Sequence, residues 1–191
     1  MAKSFSDHEK EMIRKKLIES CGQCWSKHGY QKTSVMELCR MASISAGTFY
    51  QLYPSKELLF IETAQSIQEV FRRIFNETLK ADPTKNGFAK SLKLFAGELK
   101  QHEWILSLNK DLDLLYRKLP EDFIANDFKT DLADITAIIK NAGLKPKVDF
   151  ELITSVFQML MMSIFYTDKM TENADRALDF MIETAAENLF E

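Results

Sequence analysis

Two cysteines of this 191-residue chain lie three positions apart, in the run CGQC that begins at Cys21 and ends at Cys24. That spacing is typical of redox pairs and of one half of a metal site. A metal site would need a second ligand pair, which the sequence lacks, because Cys39 stands alone and the three histidines are scattered. Cys21 and Cys24 also share helical spacing with Leu17 and Trp25, which indicates small buried residues on one face of a helix. We therefore predict no metal and no cofactor, and keep a redox-responsive pair as the alternative interpretation.

Side chains that would serve catalysis are not grouped in a recognisable way. The sequence has no Ser/His/Asp set, no glycine-rich loop that would cradle a phosphate, and no metal-ligand spacing. We therefore predict that the protein is not an enzyme.

Residues 45–57, SAGTFYQLYPSKE, carry three aromatic side chains within five positions. The pattern predicts a short helix that Ser45 caps and Pro54 ends, because the residue before a proline is pushed out of the helical region. Phe49 and Tyr53 are expected to turn inward and anchor a helix that is too short to be stable alone. Tyr50 then points outward.

A second short helix is predicted just before this one. Ser34 and Glu37 form the capping-box pattern at its start, and it is expected to end near residues 41–43. An earlier helix from Asp7 to His28, ended by Gly29, would brace the pair. Two short helices joined by a tight turn and braced by a third form a helix-turn-helix, whose second helix lies in the major groove of DNA.

The charge distribution favours the same interpretation. The first 56 residues carry nine Lys/Arg and five Asp/Glu, whereas the remainder carries 16 Lys/Arg and 23 Asp/Glu. A basic N-terminal region on an acidic body is suited to a polyanionic partner.

These residues resemble the N-terminal signature of the TetR family of bacterial transcriptional repressors. The resemblance rests on the Gly29-Tyr30 pair, the Thr33-Ser34-Val35 run and the GTFYQLYPSKELL run from Gly47, and it covers about residues 7–60. It implies a homodimer that binds a double-stranded DNA operator and releases it when a small molecule occupies a pocket in the C-terminal domain. The residues that the resemblance places at DNA are Ser34, Ser45, Ala46, Gly47, Thr48, Tyr50, Gln51 and Lys56.

Three residues depart from the family pattern. Met36 stands where relatives often carry a basic residue that reaches DNA, and Leu52 replaces a polar or aromatic residue that often touches phosphate. Ser43 replaces the usual glycine of the turn, so it must adopt a backbone angle that is unusual for a side chain other than glycine.

The fold predicted for the whole chain is all-α, with about nine helices. Few Gly and Pro interrupt the long helical patterns, and the sequence predicts no strand of any length. We expect a helix-turn-helix DNA-binding domain over residues 1–55 and a helical-bundle domain for effector binding and dimerisation over residues 56–191. The polar start predicts no secretory signal, and the longest uncharged run is too short to span a bilayer, so a cytoplasmic protein without a membrane partner is expected.

The last two predicted helices have the pattern of a dimer interface. The helix over residues 152–166 is apolar nearly all round, so it needs cover on both sides, and the final helix carries small residues that allow close approach. The predicted interface comprises Val156, Leu160, Ile164, Ala177, Leu178, Met181 and Ala185.

Aromatic residues and methionines that interrupt the helical stripes are the candidates for an effector pocket, because small-molecule sites are mostly apolar. They are Phe95, Trp104, Tyr116, Phe123, Met162 and Tyr166. The sequence does not name the effector, the operator or the regulated genes.

Overall fold

A computed structural model describes residues 5–101, 111, 114–115, 117–118, 135–166 and 172–191 of the chain. Within these ranges the protein is helical, and the predicted all-α fold is confirmed. The only pairing of β type among them is an isolated bridge between Pro146 and Phe190. The predicted number of helices includes elements that lie largely outside the described residues.

The described helices are α1 (Asp7–Lys32), α2 (Val35–Ala42), α3 (Ala46–Leu52), α4 (Lys56–Ala81), α5 (Lys85–Leu99), α6 (Phe150–Tyr166) and α7 (Ala174–Leu189). Residues 135–142 are also helical. None of these helices is long and apolar enough to cross a membrane.

The chain packs into two compact units. The first comprises residues 1–67 together with the 102–120 segment, and the second comprises residues 68–101 and 121–191. The first part of α4 thus packs with the N-terminal helices, whereas the predicted domain boundary lay at its start. That the N-terminal domain binds DNA and the C-terminal domain binds the effector and dimerises stays a prediction.

In the first unit, α1 begins with a full capping box that the sequence analysis did not single out. Ser6 Oγ accepts a hydrogen bond from the Glu9 amide, and the Glu9 carboxylate accepts one from the Ser6 amide. The predicted end of the helix at Gly29 appears as a break: Gly29 has φ 76° and ψ 170°, after which the chain regains helical form up to Lys32. The core of this unit places Trp25 and Tyr30 against the ring of Phe60, at centroid distances of 4.7 and 5.2 Å.

In the second unit, an aromatic cluster joins α4, α5 and α6. The ring of Phe71 lies 5.4 Å from Phe95 and 5.5 Å from Phe157, and Phe75 packs edge-on against Phe88. At the start of α6, Asp149 accepts a hydrogen bond from the Leu152 amide and so caps the helix.

A row of ion pairs runs between α5 and α7. The lysines of α5 and Lys100, which directly follows that helix, contact the carboxylates of α7 in antiparallel order, so that the first lysine meets the last acid. The pairs are Lys85–Glu187, Lys93–Glu183 and Lys100–Asp175. They flank an apolar stripe of α7 that includes Leu178 and Ile182 and is buried in the unit.

Candidate nucleic-acid interface

The N-terminal half of α3 is exposed and capped by hydroxyl groups. Ser45 Oγ accepts a hydrogen bond from the Thr48 amide at 3.1 Å and lies 2.9 Å from Thr48 Oγ1. Ala46 and Gly47 are exposed and carry almost no side chain, so another molecule can approach the backbone of this turn closely. The helix start therefore offers hydroxyl groups and a low-profile backbone to a partner.

Two buried aromatic rings hold α3 in place. Phe49 is fully buried and Tyr53 is 2% exposed, with their ring centroids 5.8 Å apart. Burial, followed by the negative charge of Glu62, raises the pKa of Tyr53, so this phenol stays neutral. Tyr50 projects the other way and is 56% exposed, with its ring edge-on to Phe49. The inward and outward directions predicted for these rings are thus observed.

The turn between α2 and α3 depends on Ser43. This residue has φ 57° and ψ 45°. It thus adopts the left-handed conformation that was expected of a residue in the place of the usual glycine. The amides of Ser43 and Ile44 donate to the carbonyls of Arg40 and Cys39 at 3.3 and 2.9 Å. These bonds satisfy carbonyls at the end of α2 that would otherwise lack a partner.

At the start of α2, the structure shows one of the two hydrogen bonds of the predicted capping box. Ser34 Oγ accepts from the Glu37 amide at 3.2 Å, as expected. The Glu37 carboxylate, however, lies 3.2 Å from His28 Nε2. An imidazole from α1 competes for the carboxylate that local sequence spacing had assigned to the cap. Met36, in the first turn of α2, is 80% exposed.

Lys56 stands at the start of α4 but directs its ammonium inward. Nζ donates to the carbonyl oxygens of Tyr30 at 3.0 Å and of Thr33 at 2.9 Å, and it lies 4.4 Å from the centroid of the Tyr30 ring. Burial lowers the pKa of this ammonium. The sequence placed Lys56 at a phosphate, whereas two of its three ammonium donors are used inside the protein.

The cysteines are buried and unpaired. Cys21 and Cys24 lie on the inner side of α1, and Cys39 lies on α2. Burial raises the pKa of all three thiols, so the reactive thiolate is disfavoured at neutral pH. Side chains three apart on a helix have Cβ atoms about 5–6 Å apart, whereas a disulfide needs about 3.5–4.5 Å. A disulfide between Cys21 and Cys24 would therefore distort α1.

The residues predicted for an effector pocket do not form one site in the part of the chain that the structure describes. Phe95 belongs to the aromatic core of the second unit, Met162 is 58% exposed, and Tyr166 is half-buried. The other three, Trp104, Tyr116 and Phe123, lie outside the described residues.

The residues predicted for a dimer interface divide between two faces of α6 and α7. Leu160, Ile164 and Leu178, which were predicted to lie in the dimer interface, are buried within the single chain. Val156 and Ala185 are half-buried, whereas Ala177 and Met181 are exposed. The apolar side chains exposed on these helices define what we call the outer face. It comprises Leu152, Met159, Met162, Ala177, Phe180 and Met181.

Comparison with known proteins supports the interpretation of these helices. Residues 17–63, which include α2, α3 and the first turns of α4, match the family model described as bacterial regulatory proteins, tetR family. Residues 17–63 thus have the sequence pattern of the tetR family of bacterial regulatory proteins. The match supports the prediction of a DNA-binding transcriptional regulator.

Two relatives of this chain are similar to it in sequence. It is 31% identical over 101 residues to the uncharacterized HTH-type transcriptional regulator YuxN of Bacillus subtilis, a match that covers 52% of this chain and 34% of YuxN. It is 21% identical over 188 residues to the HTH-type transcriptional repressor AcnR of Corynebacterium diphtheriae, with 94% of each chain covered. The first match thus spans about a third of that relative's length.

The fold is shared with solved TetR-family structures. One is Thermus thermophilus FadR, a TetR-family transcriptional repressor in complex with lauroyl-CoA, which superposes with a TM-score of 0.61 at 16% identity and 91% coverage of both chains. At this level of identity the likeness supports the fold.

One group of polar contacts around Tyr30 was not predicted from the sequence. Asp111 and Lys118 approach that residue from a segment about 80 positions further along the chain. No local pattern links residues so far apart, so only the folded structure reveals the group.

The buried thiols give a test of the redox alternative. We expect the native protein to react with fewer than one equivalent of 5,5′-dithiobis(2-nitrobenzoic acid) at pH 7, and with all three thiols after denaturation, because burial disfavours each thiolate. The absorbance of the released thionitrobenzoate measures both. Rapid labelling of two thiols in the native state, with a parallel change in DNA affinity, would instead favour the hypothesis of a redox-responsive cysteine pair.

Proposed function

We propose that this protein is a TetR-family repressor that binds a palindromic operator as a homodimer in the cytoplasm and leaves it when a small molecule binds. The observation that carries the DNA part is the exposed start of α3, held in place by the buried rings of Phe49 and Tyr53. A helix presented in this way suits the major groove, N-terminal residues first.

The proposed contacts follow from exposure and chemistry. Tyr50 and Gln51 are exposed on α3, and a glutamine can pair bidentately with adenine. Ser45, Ala46, Gly47 and Thr48 lie on the first turn of the same helix, and Ser34 caps α2. For Lys56 we propose that the backbone at the start of α4 meets a phosphate, since its ammonium is bonded inward.

A second copy of the chain is the proposed occupant of the outer face. Met159 and Phe180 are 70% and 68% exposed, and large apolar side chains grouped in this way on a surface mark an interaction site. The inner faces of α6 and α7 are already buried within the chain, so a partner subunit is the natural cover for the outer face. AcnR, which matches over nearly the whole length, is a repressor, and this supports the choice of repression.

Effector binding is proposed for the C-terminal domain. FadR of T. thermophilus holds lauroyl-CoA in a similar fold, which supports a ligand with an apolar part. If the ligand favours one conformation, it should lower operator affinity by a typical coupling of about 5–150-fold. By reciprocity, operator DNA should weaken binding of the ligand by the same factor.

Selection of DNA from a random-sequence library by the purified protein tests the proposal. We expect a palindromic duplex whose affinity falls steeply with KCl, because neutralised phosphates release counterions. Gln51→Ala should cost about 1–3 kcal/mol of binding free energy and relax the base preference at one position of each half-site. The matched control is Gln23→Ala, an exposed glutamine of α1, which should bind as the unmodified protein does. Failure to select any duplex, or a complex that salt does not weaken, would reject this function.

A further inference from the structure

The chain changes direction at residues 29–33, which we call the corner. Gly29 leaves the helical region with φ 76°, and Thr33 is extended with φ −75° and ψ 125°. Ser34, the cap of α2, follows immediately. The path of these five residues therefore sets the direction in which α2 leaves α1, and α3 follows α2 through a tight turn.

Asp111 binds the corner from one side. Its Oδ2 accepts hydrogen bonds from the Tyr30 amide at 2.8 Å and from Trp25 Nε1 at 2.9 Å. Trp25 and Tyr30 are buried, so each N–H group needs an acceptor inside the protein, and Asp111 Oδ2 accepts from both. A Cβ on Gly29 would lie 3.3 Å from the same oxygen, so the absence of a side chain there leaves room for the carboxylate.

Lys56 binds the corner from another side. Its ammonium donates to the carbonyls of Tyr30 and Thr33, near the two ends of the corner. The neighbouring Glu57 accepts a hydrogen bond from the Tyr30 hydroxyl at 2.5 Å. The amide, two carbonyls and one hydroxyl of the corner are thus held by charged groups, whose hydrogen bonds are stronger than those between neutral groups.

Lys118 adds a second contact from the segment that carries Asp111. Its Nζ lies 5.2 Å from the centroid of the Tyr30 ring and 3.8 Å from Glu57 Oε1. Asp111 and Lys118 both lie beyond residues 17–63, the region that matches the family model of the DNA-binding helices. The corner is therefore joined through Tyr30 to a part of the chain outside that region.

We infer that Asp111 and Lys56 are positioning residues that clamp the corner, and that displacement of Asp111 from it lowers operator affinity. The inference rests on the proposed function for its DNA readout. Without the Asp111 carboxylate, the buried Tyr30 N–H group loses its acceptor, and the corner must rearrange to satisfy it. Because α2 starts from the corner, the rearrangement moves the helices that meet DNA. Residues 111 and 118 thus control the DNA-binding helices from outside them.

The test compares Asp111→Ala, Asp111→Asn and Lys56→Met, with Lys90→Met on the exposed side of α5 as the control. The probe is a fluorescein-labelled palindromic duplex selected by the unmodified protein, and anisotropy gives affinity at several KCl concentrations. We expect Asp111→Ala and Lys56→Met to weaken binding about 5–150-fold with the salt slope unchanged. Asp111→Asn keeps an oxygen acceptor and should retain most of the affinity.

The salt slope separates positioning from phosphate contact. A lysine that neutralises a phosphate reduces the slope by about one when it is removed, whereas a clamp does not. A fall of about one in Lys56→Met would overturn the role given to Lys56. Equal losses in Asp111→Ala and Asp111→Asn, or no loss in either, would overturn the role given to Asp111.

Hydrogen exchange supplies a readout that needs no DNA. In Asp111→Ala and in Lys56→Met, peptides that cover residues 29–33 should exchange faster, while peptides from α5 and α7 keep their rates. Unchanged exchange at the corner would overturn the clamp, and faster exchange throughout would show general destabilisation instead. If the unmodified protein selects no duplex, the proposed function fails, and this arm still decides whether the clamp exists.

Discussion

Phe180→Glu is expected to convert the homodimer to monomers and to weaken operator binding by about 10²–10⁴-fold, the range over which linking two binding modules raises avidity. Phe180 is 68% exposed on the outer face, so its replacement creates no cavity in the chain. In the proposed dimer the same ring is covered by the partner subunit. A carboxylate there would be buried without a counter-charge, which is strongly unfavourable.

Sedimentation velocity at micromolar concentration measures the assembly, and gel shift with the selected duplex measures binding. Leu94→Glu is the matched control, because Leu94 is an apolar side chain that is 48% exposed and belongs to α5, which is neither of the two helices of the outer face. It should leave the dimer and the operator affinity intact. A monomeric unmodified protein, or a Phe180→Glu protein that stays dimeric, would count against this interface.

Phe49→Ala is expected to lower the free energy of unfolding by about 3–5 kcal/mol, the usual cost of deleting a fully buried aromatic ring. That is a large part of the roughly 5–15 kcal/mol that stabilises a typical domain. The helix that carries the ring, α3, has seven residues and cannot persist in water without its tertiary anchor. Operator binding should therefore be lost with the anchor. Urea unfolding followed by circular dichroism gives the free energy of unfolding.

The neighbouring substitution Tyr50→Ala separates anchoring from contact. Tyr50 is adjacent in sequence and of similar size, but it is exposed, so the free energy of unfolding should change by no more than about 0.5 kcal/mol. Its removal should still weaken operator binding, because the side chain is proposed to touch DNA. Equal destabilisation by the two substitutions would contradict the opposite orientations of the two rings.

The helix-turn-helix was predictable because each of its signals is local. Ser45 caps α3, Pro54 follows it by two residues, and the spacing of Phe49 and Tyr53 fixes the inward face. The left-handed conformation of Ser43 was expected because this serine stands where the family pattern has a glycine. Elements whose start, end and buried face all lie within about ten residues need no knowledge of the rest of the fold.

The faces of α6 were not predictable in the same way. Leu160 and Met159 are adjacent and both apolar, yet the first is 2% exposed and the second 70%. A helix that is apolar nearly all round has no periodicity to show which side the chain itself covers. Asp111 was missed for a related reason, since its partners Trp25 and Tyr30 lie 86 and 81 residues away.

The row of ion pairs between α5 and α7 contributes more to the register of the two helices than to the stability of the protein. Exposed pairs such as Lys85–Glu187 contribute at most about 1 kcal/mol each. If α7 slid along α5 by one turn, however, at least some of these lysines would lose their acids. Selection should then act on the pair and not on either residue alone. In closely related chains, positions 85 and 187, 93 and 183, and 100 and 175 should therefore exchange charge together, a correlated substitution pattern that would record the register of the two helices.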